Sequence, residues 1–180
     1  MSINKHSSPW RRLWWAAFTF AFFAVTPGVW TQVPPDGVVV GPTMVASLRN
    51  AGAATRDQAV IVRSTANRWA RQANSVNYRA DLLLSDFHSM LLQYQMLRER
   101  FNWMASLALQ ANRPYAGNAL AELDAGLNII EEMMLFLDQQ IGAGTLDRAT
   151  LVRTCLTFED VMRQWEQELR RSCSRMGIAL

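Results

Sequence analysis

Apolar side chains recur along the middle of the chain at alternating spacings of three and four residues. Such a 3.5-residue repeat keeps all of its members on one helix face, so it predicts a long helix over 55–112 with one buried seam. Thr55 and Gln58 have the spacing of a capping box at its start, and Pro114 follows its end. The seam consists of Ala59, Val62, Ala66, Trp69, Ala73, Val76, Ala80, Leu83, Phe87, Met90, Tyr94, Leu97, Phe101, Met104, Ala108 and Ala111.

One segment of this series is weak. Asn74-Ser75-Val76-Asn77 contains residues that form helices poorly. The seam nevertheless passes through the segment without a change of phase, which favours a kinked or uninterrupted helix over a hairpin. A break near 74–77 remains the alternative, and it would divide the long helix into two.

Two further helices are predicted after Pro114. The first begins at its N-cap Asn118 and ends before Gly142, and the second begins after Thr145 and ends before Gly177. Short connections make consecutive helices antiparallel neighbours. The predicted fold is therefore all-α, with residues 55–180 forming an up-and-down antiparallel bundle of three long helices, or four if the first one breaks. The two later seams are Leu120, Leu123, Leu127, Ile130, Met134, Leu137 and Ile141, then Leu151, Cys155, Phe158, Met162, Trp165 and Leu169.

Residues 1–31 have the order of an export or anchoring signal. Cations without acids precede an uncharged apolar run over 13–25, which is typical of a secretory signal. A bilayer span needs about 20 residues, so the length of this run favours cleavage. Aromatic residues on both sides of it favour a retained transmembrane helix, because tryptophan concentrates at membrane interfaces. We expect a retained anchor with the N-terminus in the cytoplasm, held by Trp10, Trp14, Trp15 and Trp30.

The next segment, 32–54, is predicted to be an extended stalk. It contains Pro34-Pro35, Asp36-Gly37 and Gly41-Pro42, which are pairs typical of turns and extended chain. The helical domain is then expected outside the cytoplasm at the inner (plasma) membrane, in the periplasm if the source is bacterial.

Charge adds little to this picture. The chain has a formal net charge of +3, and Lys5, Arg11 and Arg12 account for all of it. The chain after residue 31 is neutral, so the composition does not favour a nucleic-acid partner.

The motifs of common catalytic sites are missing from the sequence. It contains no P-loop, G-x-G-x-x-G, G-x-S-x-G, H-E-x-x-H or C-x-x-C-H. Outside the signal, His88 is the only histidine, and Asp86 points away from it on a helix. The adjacent acids Glu131-Glu132 and Glu159-Asp160 diverge in the same way. No catalytic, cofactor-binding or metal-binding residue is predicted, and the chain is not expected to be an enzyme.

The two cysteines cannot pair with each other. Cys155 and Cys173 lie on one predicted helix about 27 Å apart, well beyond the reach of a disulfide. Cys155 falls on the apolar stripe and is expected in the core. Cys173, near the helix end, is a candidate for an intermolecular disulfide.

Some apolar residues lie off the predicted seams. Either these helices are buried between two neighbours, or the residues form an exposed face that binds another subunit. We expect a non-catalytic, membrane-anchored subunit that packs against a larger membrane complex or a second copy and stabilises it. The alternative is a periplasmic binding or stress protein that holds an apolar ligand, a metal or an unfolded chain. The candidate interface residues are Leu82, Leu92, Met96, Trp103, Met133 and Phe136.

Overall fold

The structure, a computed structural model, describes residues 41–79 and 82–180. The chain divides into two units after Asp36, and the described residues belong to the second unit. They form four helices and no strand, which confirms a helical bundle. The predictions for residues 1–31, including the four tryptophan anchors, lie outside the described residues. The helices are α1 (Pro42–Asn74), α2 (Leu82–Gln110), α3 (Ala116–Ala143) and α4 (Arg148–Arg175).

Each helix packs beside its neighbours in sequence, and α1 also packs on α4, which closes the bundle. Side-chain contacts between paired helices show that neighbouring helices run antiparallel. As the residue number increases along one helix, the number of the residue that it contacts on the other helix decreases. On α1 and α2 these contacts are Gln58 to Gln93 and Arg100 to the Ala54 carbonyl. The other three pairs show the same order. Between α2 and α3, Tyr94 hydrogen bonds to Leu127 and Arg98 forms an ion pair with Asp124. The remaining hydrogen bonds are Trp165 to Leu123 and Arg175 to Glu122 for α4 and α3, and Arg63 to Glu166 and Asn67 to Glu159 for α1 and α4.

The predicted long helix is broken, so the preference for a continuous or kinked helix was wrong and the four-helix alternative holds. α1 ends at Asn74, and the next residue, Ser75, adopts an extended conformation. Tyr78 returns to α1, where its hydroxyl accepts a hydrogen bond of 2.9 Å from Trp69 Nε1. Val76, a predicted seam residue, is 93% exposed. On both sides of the turn, the residues that continue the predicted seam are buried, as Ala73 on α1 and Phe87 on α2 show.

The helical domain also begins earlier than predicted. Residues 42–54 belong to α1, so the prediction of an extended stalk over 32–54 fails for them. Pro42 occupies the first helical turn, where proline is favoured because its missing N–H would have no helical partner anyway. Thr55 lies inside the helix and not at its start, and its hydroxyl donates to the Ala51 carbonyl at 2.8 Å.

The two later helices lie close to their predicted bounds. α3 begins at Ala116, two residues before the predicted N-cap Asn118, and ends at Ala143. Its C-cap, Gly144, adopts the left-handed conformation. Asp147 is the N-cap of α4 and accepts a hydrogen bond of 2.9 Å from the Thr150 N–H.

Small residues at seven-residue spacing line the buried face of α1. This small-residue column consists of Gly52, Ala59, Ala66 and Ala73. It lets α1 approach α2 and α4 more closely than α3 approaches either of its neighbours. At Gly52 the chain end fills the space, since an added Cβ would lie 2.7 Å from the Leu180 side chain.

α3 packs on α4 through a large side chain. Trp165 of α4 is buried, and its Nε1 donates to the Leu123 carbonyl at 2.8 Å. The ring packs against Gly126, where an added Cβ would come within 2.7 Å of Trp165 Cδ1.

We therefore expect Gly126→Ala to destabilise the bundle, although alanine favours helices. Displacing an anchored indole ring costs about 1–3 kcal/mol. Gly142→Ala, on the same helix with nothing within 4 Å of the added Cβ, is the matched control and should gain up to about 1 kcal/mol. Urea denaturation of both variants measures the difference, and equal stabilities would contradict the close packing of Gly126 on Trp165.

Candidate functional site

The candidate interface residues from the sequence do not form one surface. Leu92 and Trp103 are 55% and 52% exposed, and Leu82 and Phe136 are also exposed. Met96 is half-buried. Met133 is half-buried as well and packs against the core, so it contributes little to an outer face.

α2 carries a second row of residues at alternating three- and four-residue spacing, on the side away from its buried seam. No residue of this row is buried. Four of the predicted interface residues belong to it, and serines occupy several of the positions between them. We call this row the outer seam, and it consists of Leu82, Ser85, Ser89, Leu92, Met96, Glu99, Trp103, Ser106 and Gln110.

Sequence reasoning recognised the apolar members of the outer seam but not the row itself. The signal was present, because the serines continue the heptad spacing between Leu82 and Leu92 and beyond Trp103. A search for apolar residues alone passes over them.

A separate apolar stripe lies on α3. Ile129 is 53% exposed, and Phe136, seven residues later on the same face, is also exposed. Ala125 extends this stripe by one turn and is exposed as well. We call Ala125, Ile129 and Phe136 the α3 stripe. Exposed apolar side chains that continue along a helix face are typical of protein–protein contacts.

A half-buried carboxyl group lies close to the turn between α1 and α2. The carboxyl group of Asp86 has one oxygen, Oδ2, that is buried and has no hydrogen-bond partner among the described residues. Burial raises the pKa of Asp86, while the charge of Arg68 and a hydrogen bond from Tyr78 oppose that shift. This carboxyl group therefore holds its proton to a higher pH than an exposed aspartate does.

The same region contains the Cys155 thiol. Cys155 is fully buried, and desolvation raises its pKa to about 12. A thiol that stays protonated at neutral pH is a poor nucleophile and a poor metal ligand. The raised pKa of Cys155 therefore gives no support to a reactive thiol beside Tyr78 and Asp86.

Cys173 also lies in the core. Its side chain is fully buried and free, and burial raises its pKa to about 11. An intermolecular disulfide needs an exposed thiol, so this position does not favour the bridge that the sequence predicts.

His88 is exposed on α2, and its ring lies beside that of Phe87. Within residues 41–79 and 82–180, no group of three or more His, Cys, Asp or Glu side chains is placed to hold a metal ion. No helix in the same residues is both long enough and apolar enough to cross a bilayer.

One surface groove in the described part of the chain lies on α4 and is lined by charged side chains, among them Arg170, Arg171 and Arg175. Arg175 is paired there with Glu122 and Glu168. Another lies between α1 and α4, has a volume of about 140 Å³ and includes Val152 and Leu156.

Comparison with known proteins found no matching family model, no matching curated protein and no matching solved structure. The site is therefore described from its own geometry.

We expect Asp86→Asn to stabilise the bundle near neutral pH. An acid whose folded-state pKa is raised contributes full stability below its unfolded pKa of about 4, and this contribution is lost as the pH rises through the raised pKa. The amide carries no charge, so the melting temperature of the variant should exceed that of the wild type at about pH 7 and converge with it towards about pH 4.

Exposed Glu132→Gln, which removes a carboxylate from the surface of α3, serves as the control. Thermal melts across this pH range measure both variants. A gain for Asp86→Asn that does not depend on pH would contradict the shift.

Proposed function

We propose that this chain is a non-catalytic subunit of a membrane protein complex. In this proposal residues 10–30 anchor it in the inner (plasma) membrane, and the helical bundle lies outside the cytoplasm, where it stabilises or scaffolds the assembly. The observation that carries the proposal is the exposure of large apolar side chains on outward faces of α2 and α3, with Leu92, Trp103 and Ile129 each more than half exposed.

The distribution of these residues supports contact with a protein. Each helix of the bundle already has a buried apolar face, so Leu92 and Ile129 are not needed for its core. Large apolar side chains exposed on one helix face commonly mark binding surfaces. The stripe on α3 presents two large side chains one heptad apart.

The buried groups support a role without catalysis. Burial raises the pKa of the Cys155 and Cys173 thiols, so both stay protonated near neutral pH. The polar side chains of the interior instead donate to helix carbonyls, as Tyr94 does to Leu127. Such contacts position helices.

The α3 stripe provides the test. The full chain, tagged and extracted gently from membranes of its native host, should co-purify with a stoichiometric protein partner. The double change Ile129→Glu and Phe136→Glu should abolish this recovery without lowering the melting temperature, because both side chains already contact solvent. Co-purification followed by quantitative mass spectrometry measures the result.

Leu156→Glu is the matched control, since Leu156 is similarly exposed but lies on α4. It should retain the partner. Recovery of the wild-type chain as a lone protein in the membrane-free fraction would contradict the proposal.

A further inference from the structure

We infer that the outer seam of α2 binds the outer seam of a second copy of this chain, with the two helices antiparallel and related by a two-fold axis. The seam has the alternating three- and four-residue spacing of a coiled-coil contact. Its large apolar members, Leu82, Leu92 and Trp103, are exposed in the single chain. This inference rests on the proposed function in one respect, namely that the bundle binds other proteins. It concerns a different surface from the α3 stripe.

The order of residues along the seam is what identifies the occupant. A two-fold axis midway between Met96 and Glu99 pairs Leu92 of one copy with Trp103 of the other. The same axis pairs Ser89 with Ser106. The large side chains of Leu92 and Trp103 then face each other and serine faces serine, while Leu82 lies beyond the end of the partner's seam. This match on both sides of the axis is the self-complementarity that a two-fold interface requires.

Charge selects the antiparallel direction. Glu99 is the only charged residue of the outer seam. In a parallel pair Glu99 would oppose Glu99 and Trp103 would oppose Trp103. In the antiparallel pair Glu99 faces Met96, so the two Glu99 carboxylates no longer lie in one layer of the interface. The dipoles of the two helices also point in opposite directions, which is favourable. A polar residue among the apolar positions of such a seam can specify the register at a cost in stability.

α1 carries an exposed apolar side chain on the side that it turns towards α2. Gln58 of α1 hydrogen bonds to Gln93 of α2. Ile61 follows Gln58 by three residues, on the same side of α1, and is exposed.

Cross-linking of introduced cysteines tests the register. The native Cys155 and Cys173 are fully buried, so they give little background. We would co-express two forms of the full chain, Ser89→Cys and Ser106→Cys, and apply mild oxidation in native membranes. The antiparallel pair brings these positions together, so the mixture should form a disulfide-linked dimer. Either form alone should not, since its two thiols would lie about 25 Å apart along the paired helices.

Two further variants separate dimerisation from folding and from the proposed function. Leu92→Glu, added to both forms, should eliminate the cross-link while the melting temperature stays unchanged. Ile129→Glu should leave the cross-link intact, whatever it does to the recovery of another protein. Cross-linking of each form alone would show a parallel pair and overturn the inference. So would the absence of a cross-link from the mixture while the α3 stripe still retains its partner.

Discussion

The small-residue column on α1 controls how close the helices of this bundle can come. Side chains no larger than a methyl group at Gly52, Ala59, Ala66 and Ala73 let α1 lie near both α2 and α4. Larger side chains are buried on the facing helix α2, among them Met90, Leu97 and Met104. Close packing of small against large side chains is what gives a helical core a single arrangement.

The third helix is held differently. It approaches its neighbours less closely than α1 does, and large aromatic side chains span the gaps. Tyr94 donates to the Leu127 carbonyl and Trp165 to the Leu123 carbonyl, each at 2.8 Å. These bonds satisfy the polar ends of buried rings and fix the height of α3 along the bundle. The remaining apolar residues of α2 and α3 are surplus to this core and lie on the surface.

Much of the core could be predicted from periodicity. The predicted seam residues from Phe87 to Met104 are all buried, and so is the whole stripe predicted on α4. Periodicity failed where it carried no information about chain direction. The turn after Asn74 preserves the phase of the seam, so a hairpin and a continuous helix have the same pattern. Pro42 likewise indicates an interrupted helix when only the sequence is considered, but in the first turn of a helix a proline is favoured.

The candidate surface was predicted less completely. Leu92 and Trp103 lie off the main seam in sequence and are exposed, as an interface requires. Met133 had the same pattern, but it packs on the core because α3 meets α4 on that side. The burial of Cys173 depends on the chain end, where Ile178 folds back into the core, and no local pattern indicates such a return.

The dependence of the fold on the small-residue column is tested most directly by Ala66→Leu. Ala66 is fully buried in the column, while Ala46 on the same helix is exposed and provides the same substitution without the steric conflict. Urea denaturation should show a loss of about 2–3 kcal/mol for Ala66→Leu and almost none for Ala46→Leu. Equal stabilities for the two variants would contradict close approach by α1 as the basis of this bundle.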